Sequence, residues 1–288
     1  NTPMLLKVSK QLGLSVKKVM DILWFLRLGK VENNDLIRKT GVAKNVLNQL
    51  KEGIGDLLEP ASSETVLNEK SRNVIDELFS SSYEPEESMW TFLEEDSRFG
   101  GVVNLLKGCK NLRAEPKREY DQFTATIETT ARRAMLLNFF EDITRKRILF
   151  LGDDDFTSVA VSHLGKPSRA CVLDIDPRIL DGIKRASTEI ETIKYDCRKI
   201  LPNELKGKFD VVFTDPPYTT EGVSLFLSRA IEALDTKGNQ AARIYFCYGT
   251  SDRAKERFLP IYELVTRSGL MMRWVFDKFN RYTGAESI

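Results

Sequence analysis

From about residue 119 onward the chain repeats one pattern: a short apolar run rich in Ile, Val and Phe, an acidic turn, then a segment with helical spacing. The runs cover residues 147–151, 169–173, 191–195, 209–214, 243–248 and 270–276, and helical segments at 156–164, 177–186, 221–234 and 253–267 separate most of them. Apolar runs without strict alternation predict strands buried on both faces, and the helices between them predict a mostly parallel sheet. The expected fold is therefore a doubly wound, Rossmann-like α/β domain over residues 119–288. Its ligands should lie beyond the carboxyl ends of the strands.

Ahead of that domain the pattern changes. Residues 1–59 read as short helices, with Leu12, Val16, Val19, Leu23 and Leu26 at helical spacing, Gly13 breaking the first helix and Ser15 placed to cap the second. Helix, a turn at Gly41, then helix outlines a helix-turn-helix unit, so a small winged-helix-like domain is expected. These 59 residues carry ten Lys+Arg against six Asp+Glu, but no arginine cluster suited to reading bases. A packing or dimerisation role is favoured over DNA binding, and a homodimer through this region is the expected assembly if there is one. Residues 60–118, with Pro60-Ala61-Ser62-Ser63 and an acidic stretch at 80–87, read as linker and irregular chain.

What the chain lacks narrows its chemistry. There is one histidine, His163, read as structural, and four separated cysteines (Cys109, Cys171, Cys197 and Cys247) with no CxxC. Histidine-triad hydrolysis, multi-histidine metal sites and a disulfide framework are not expected, and a reducing cytoplasm is the expected compartment. Cys171 and Cys197 fall near the crevice without a basic neighbour in sequence and are not read as nucleophiles. With 43 Lys+Arg against 42 Asp+Glu, a broad phosphate-binding surface is not expected, so nucleic acid is not a required partner. No run approaches the roughly 20 apolar residues of a membrane span. No signal-peptide pattern is read, and the chain opens on Asn1 rather than Met, so missing terminal residues remain open.

The strand ends carry the functional signal, because four of them are acidic. The first ends in Gly152-Asp153-Asp154-Asp155, the second in Asp174-Ile175-Asp176, the third in Asp196 and the fourth in Asp215-Pro216-Pro217-Tyr218. Asp174 lies 22 residues after Gly152, near the position of acids that hold ribose hydroxyls. Spacing does not choose between Asp174 and Asp176, and Asp176-Pro177 also reads as a helix cap. Asp196 has the position expected to meet an adenine amino group.

The first turn has one glycine where a phosphate-binding turn usually has several. Its three acids repel a diphosphate or a carboxylate and favour a ligand with ammonium groups. One of them is expected to cap the following helix. Metal binding is the lesser alternative, and no metal site is assigned. In the fourth turn the two prolines keep the chain extended, Asp215 and its neighbouring carbonyls can accept from an amine, and Tyr218 can present its ring to a cation.

Taken together, Gly152-Asp153-Asp154-Asp155, Leu173-Asp174-Ile175-Asp176 and Asp215-Pro216-Pro217-Tyr218-Thr219 resemble the motifs of the branched-chain polyamine synthases, the N(4)-bis(aminopropyl)spermidine synthase family. Glu119-Tyr120-Asp121-Gln122-Phe123 and Thr129-Thr130-Ala131-Arg132-Arg133 before the domain add to the resemblance, as do Phe279-Asn280-Arg281-Tyr282 and Gly284-Ala285-Glu286-Ser287-Ile288 at its end. It covers about residues 115–288. It implies a methyltransferase-like Rossmann fold and an aminopropyltransferase associated with thermophiles. Decarboxylated S-adenosylmethionine would be the co-substrate, with no tightly bound cofactor. Spermidine would be the acceptor at its secondary amine, and 5′-methylthioadenosine would leave.

That chemistry needs alignment, a neutral acceptor nitrogen and one carboxylate to take its proton. Asp155 is the expected base, with Asp153 and Asp154 assisting. Asp215 and the Pro216 carbonyl orient the nitrogen, with Pro217 stiffening the turn and Tyr218 alongside. Gly152, Asp174, Asp176 and Asp196 are the expected nucleoside contacts. Two rivals stand beside this reading. One is an S-adenosylmethionine-dependent amino methyltransferase acting on nucleic acid, disfavoured by the acidic first turn. The other is a non-enzymatic winged-helix regulator that senses a polyamine or nucleoside.

Overall fold

The structure, a computed structural model, describes residues 2–61, 63–86, 90–117, 123–249 and 255–283. Contacts divide the chain between Phe92 and Leu93. The smaller unit is built from α1 (Thr2–Leu12), α2 (Val16–Arg27), β1 (Val31–Glu32), α3 (Asn33–Thr40), α4 (Lys44–Gly53), β2 (Glu64–Thr65) and α5 (Glu69–Asp76). Ser15 caps α2 by accepting from the Lys18 amide at 3.1 Å. Gly41 ends α3 in the left-handed region at φ 68°, which glycine adopts without a Cβ clash. Val19, Ile22, Leu23 and Leu26 of α2 are fully buried against Leu36, Leu47 and Leu50, so the apolar periodicity of the sequence becomes the core of this unit. β1 and β2 form a two-residue antiparallel ribbon.

The larger unit follows α6 (Thr91–Glu94). It contains α7 (Phe99–Gly108), α8 (Ile127–Phe139), β3 (Arg147–Leu151), α9 (Thr157–Leu164), β4 (Arg169–Asp174), α10 (Pro177–Ala186), β5 (Glu191–Lys194), β6 (Val211–Thr214), α11 (Thr220–Ala233), β7 (Arg243–Phe246) and α12 (Lys255–Arg267). The sheet runs β5-β4-β3-β6-β7, parallel throughout. Ile148, Leu149, Phe150 and Leu151 of the central strand are buried on both faces, as their unbroken apolar run requires. The chain steps from β3 to β4 on one side and returns to β6 on the other. The carboxyl end of β3 is therefore a topological switch point, where such sheets bind ligands. The α/β expectation holds, and no helix among the described residues is long and apolar enough to cross a membrane.

Two expectations are corrected. Residues 270–276 are not a strand. An apolar run becomes one only when a neighbouring edge supplies hydrogen bonds, and here Met271, Trp274 and Val275 stay exposed. Residues 60–118 are not a linker: β2, α5, α6 and α7 fall within them. Polar caps and short apolar stripes suffice for such helices, as where Asn68 accepts from the Ser71 amide at 2.9 Å to start α5. The motif residues 119–122 and 284–288 lie outside the described residues.

Candidate active site

The acidic turn after β3 begins at Gly152, with φ 72°, and closes at Phe156, a fully buried residue held at φ 60°. A phenylalanine in the left-handed region is strained by about 1 kcal/mol or more. Burial of its ring holds it there, so the turn keeps one shape. Within that shape the three consecutive acids have three different surroundings.

Asp153 turns to the start of α9. Its carboxylate accepts from the Thr157 amide at 2.8 Å, the Ser158 amide at 3.1 Å and the Ser158 hydroxyl at 2.5 Å. It is the cap that the sequence required of one of the three. Burial pushes its pKa up to about 7 against the pull of the Ser158 donors. Asp155 is also buried, and its carboxylate accepts from Arg113 Nη2 at 2.7 Å, the Ala125 amide at 2.7 Å and Arg133 Nη1 at 2.9 Å. Burial raises its pKa while the two guanidiniums oppose the rise.

Asp154 lies between them and is different. Its carbonyl accepts from Arg113 Nε at 3.3 Å, but its carboxylate has no hydrogen bond or ion pair among the described residues. Burial, then the charges of Asp155, Asp215 and Asp174, hold its pKa well above the usual carboxylate range.

The turn after β6 meets the same cluster through α8. Arg133, at 2% exposure, donates Nη2 to Asp215 Oδ2 at 2.5 Å while Nη1 holds Asp155 Oδ2, so one guanidinium joins the two strand ends. Its Nε donates to Asn280 Oδ1 at 2.9 Å and its Nη2 also to the Tyr282 hydroxyl at 3.2 Å. The Tyr282 hydroxyl donates in turn to Asp215 Oδ2 at 2.8 Å and hydrogen-bonds the Tyr218 hydroxyl.

This C-terminal segment is pinned to the start of α8. The Thr126 amide donates to the Arg281 carbonyl at 2.9 Å and the Arg281 amide to Thr129 Oγ1 at 3.0 Å. Behind the Tyr218 ring lies Gly249, where a Cβ would come within 2.8 Å of the ring, so no larger residue fits without moving Tyr218. Burial and the Asp215 charge push the Tyr218 and Tyr282 phenols well above their usual range, and both stay protonated donors.

The second strand end divides its two acids. Asp174 Oδ1 accepts from the Asp176 amide at 2.8 Å and Oδ2 from the Asp153 amide at 3.1 Å, joining the ends of β4 and β3. Burial raises its pKa to about 6. Asp176 instead caps α10 through the Arg178 amide at 2.9 Å and pairs with Arg178 Nη2 at 2.6 Å. The helix-cap reading of Asp176 is the one its geometry supports.

Asp196 is paired bidentately with Arg198, at 2.9 Å and 2.7 Å, and Arg198 lowers its pKa to about 2. It stands at the end of β5, but both oxygens are occupied. Burial pushes Cys171, Cys197 and Cys247 up to about 12, so none is a thiolate nucleophile. Pro216 and Pro217 follow Asp215 at the end of β6, as expected.

Asp155, Asp215 and Tyr218 are thus gathered at one place, with the charge of Asp154 beside them, while Asp153, Asp176 and Asp196 serve their own turns. Asp155, the expected base, accepts from three donors, whereas the carboxylate of its neighbour Asp154 accepts from none among the described residues. The sequence reading passed over Arg113, Arg133, Asn280 and Tyr282 as functional residues. The available signal was an arginine directly before the buried apolar residues Ala134–Leu137 of α8, where a charge is retained only if it is paired.

Comparisons with known proteins give the family. The family profile described as branched-chain polyamine synthase A C-terminal domain matches residues 103–288. The chain belongs to the branched-chain polyamine synthase family. Relatives include the N(4)-bis(aminopropyl)spermidine synthase of Thermococcus kodakarensis, 35% identical over 65% of this chain and 54% of that protein. The synthase of the same name from Methanocaldococcus jannaschii is 36% identical over 62% of this chain and 53% of its own. The chain spans about half the length of these curated relatives. Among solved structures, the branched-chain polyamine synthase of Thermus thermophilus in complex with N4-aminopropylspermidine and 5′-methylthioadenosine matches with TM-score 0.58 and 26% identity. That match covers 82% of this chain and 70% of that one. The family membership and the sheet order agree on a methyltransferase-like Rossmann fold.

Proposed function

We propose that the chain transfers aminopropyl groups from decarboxylated S-adenosylmethionine to the secondary amine of spermidine and releases 5′-methylthioadenosine, building N(4)-bis(aminopropyl)spermidine. The observation that carries this reading is Asp154: a carboxylate without a partner among the described residues, beside Asp155, Asp215 and Asp174, at the switch point of the sheet. Negative charge in excess of its cations selects a polycation.

Binding of a protonated polyamine neutralises the surplus. The nitrogen that attacks must be neutral, and its proton leaves as the N–C bond forms. Ammonium groups of the bound polyamine oppose the rise in the Asp154 pKa and leave it ionised, and Asp154, for which no donor among the described residues competes, is then the base. The aminopropyl carbon passes from sulfur to nitrogen, the sulfonium leaves as a neutral thioether, and the proton goes to Asp154.

Asp215 Oδ1, which accepts no hydrogen bond from a described residue, and the Pro216 carbonyl orient the acceptor. The Tyr218 ring lies against its carbon chain or a flanking ammonium. Asp174 holds the ribose hydroxyls of the donor, since its carboxylate is pre-oriented by two amides and still has lone pairs to accept. An adenosyl-type donor lacking a carboxylate suits a turn with three acids better than one that carries it.

Incubation with spermidine and decarboxylated donor, with products identified by mass, tests the reading. Masses increased by one and then two aminopropyl groups are expected. Methyl transfer from S-adenosylmethionine to RNA or DNA, with no aminopropylated polyamine, would replace it with the methyltransferase reading.

A further inference from the structure

The cluster poses an electrostatic problem that a polyamine does not solve, because it exists before substrate arrives. Asp155 lies in the turn after β3 and Asp215 opens the turn after the neighbouring parallel strand β6, and two carboxylates brought to one guanidinium repel each other in a buried setting unless a cation lies between them. One group spans both. Arg133 uses three nitrogens on four partners: Asp155, Asp215, Asn280 and the Tyr282 hydroxyl. Its guanidinium also lies 5.6 Å from the Phe213 ring centroid of β6 and 5.9 Å from that of Tyr282.

We infer that Arg133 is a positioning residue of the transfer reaction: its guanidinium sets the spacing between the Asp153–Asp155 turn and the Asp215–Tyr218 turn, and so places Asp154 and Asp215 Oδ1 on either side of the acceptor nitrogen. This rests on the aminopropyl-transfer reading. The hydrogen-bond partners of Arg133 are protein groups. It acts through the carboxylates it holds, and its planar fork is what allows one cation to grip two of them. A lysine retains the charge but presents a single nitrogen, which cannot reproduce the fork. The neighbouring Arg132 cannot substitute, because its guanidinium is directed to Thr129 at 3.1 Å and Glu94 at 3.5 Å.

The groups facing Arg133 are Asp155 from the first turn, Asp215 from the second, Tyr282 and Asn280 from the C-terminal segment and Cys247 from the end of β7. Arg113 supports Asp155 from the other side. Two of these, Asp155 and Asp215, lose their shared cation if Arg133 is removed. Asp155, whose pKa rise the guanidinium opposes, is then protonated more easily, so the acid limb of the pH–rate profile moves to higher pH.

The test measures steady-state transfer to spermidine as a function of pH for the whole chain, wild type against Arg133→Lys and Arg133→Met, with calorimetric binding of 5′-methylthioadenosine as control. The expected result is a kcat lower by about 100-fold in either variant, an acid limb displaced to higher pH in Arg133→Met, where the cation is lost, and nucleoside binding within about threefold of wild type. Should neither arginine variant fold, Tyr282→Phe, which removes the hydroxyl shared by Arg133, Asp215 and Tyr218, must lower kcat with nucleoside binding unchanged. A folded arginine variant, or failing that Tyr282→Phe, with wild-type kcat overturns the positioning role while the transfer reading stands. A wild-type chain that makes no aminopropylated product overturns both.

Discussion

Each unit of this protein buries an ionic network, and the two are balanced differently. In the N-terminal unit Asp21 is fully buried and accepts from Lys17 Nζ at 2.6 Å, the Tyr83 hydroxyl at 2.5 Å and the Glu86 amide at 2.9 Å. Lys18, also buried, pairs with Glu86 at 2.7 Å and donates to the Thr40 carbonyl at 3.0 Å. Each charge there meets an opposite charge, and the network ties residues 83–86 to α2. In the α/β unit two guanidiniums, Arg113 and Arg133, are set against Asp155, Asp215 and the nearby charge of Asp154. Burying a charge without a partner is expensive, so a matched network reads as architecture and an unmatched one as a binding site awaiting a cation.

That contrast breaks first at Asp154. Asp154→Asn removes the surplus charge and the base while leaving the Arg113 and Arg133 pairs in place. Turnover should fall by about a hundredfold or more, with a melting temperature at or above that of wild type; wild-type turnover in a steady-state assay would return the base to another acid.

Asp21→Asn is the opposite case. Removing the carboxylate shared by Lys17, the Tyr83 hydroxyl and the Glu86 amide should cost about 2 kcal/mol of stability in denaturant unfolding. The rate per folded molecule should not change. A variant as stable as wild type but slower would show that the N-terminal network serves the reaction.

A smaller effect is expected at Asp174. Asp174→Ala should weaken calorimetric binding of 5′-methylthioadenosine about tenfold, the cost of one charge-assisted hydrogen bond. Unchanged binding would remove Asp174 from the nucleoside contacts.

The smallest expected effect is a pH slope. Asp153 at about 7 and Asp174 at about 6 have folded pKa values above the ordinary value near 4 of an unfolded chain. The folded state therefore retains protons that the unfolded chain has lost. Their contribution to stability falls as pH rises from about 4 to about 7. Asp210, lowered by Arg147, acts in the reverse sense: it stabilises above the unfolded value, and that stabilisation is lost on acidification. Unfolding midpoints should fall as pH rises from about 4 to about 7, and Asp153→Asn should flatten the trend. An identical slope in that variant would contradict the assignment to Asp153.

Much of the fold was legible because the local signals agreed with one another. The first five apolar runs became the five strands, the Ser15 cap formed, and the segment at 177–186 is α10 as printed by its Pro and its Asp176 cap. The sixth run, 270–276, misled because β-propensity does not say whether a partner edge is present. At the site, the strand ends located the acids but not their duties. Three consecutive aspartates look alike in sequence. Which one caps a helix, which is clamped by arginines and which is left over depends on Phe156 being held in the left-handed region and on Arg133 arriving from α8.

The order of residues by itself determined that this chain forms a parallel sheet with acids at the ends of its strands, because burial period and turn chemistry are local properties. Only the tertiary structure decided that Asp154 and not Asp155 is the unmatched charge. Pairing is set by groups 22 and 82 residues apart along the chain, Arg133 with Asp155 and Arg133 with Asp215, and the compensation of a buried charge is a sum over everything folded around it.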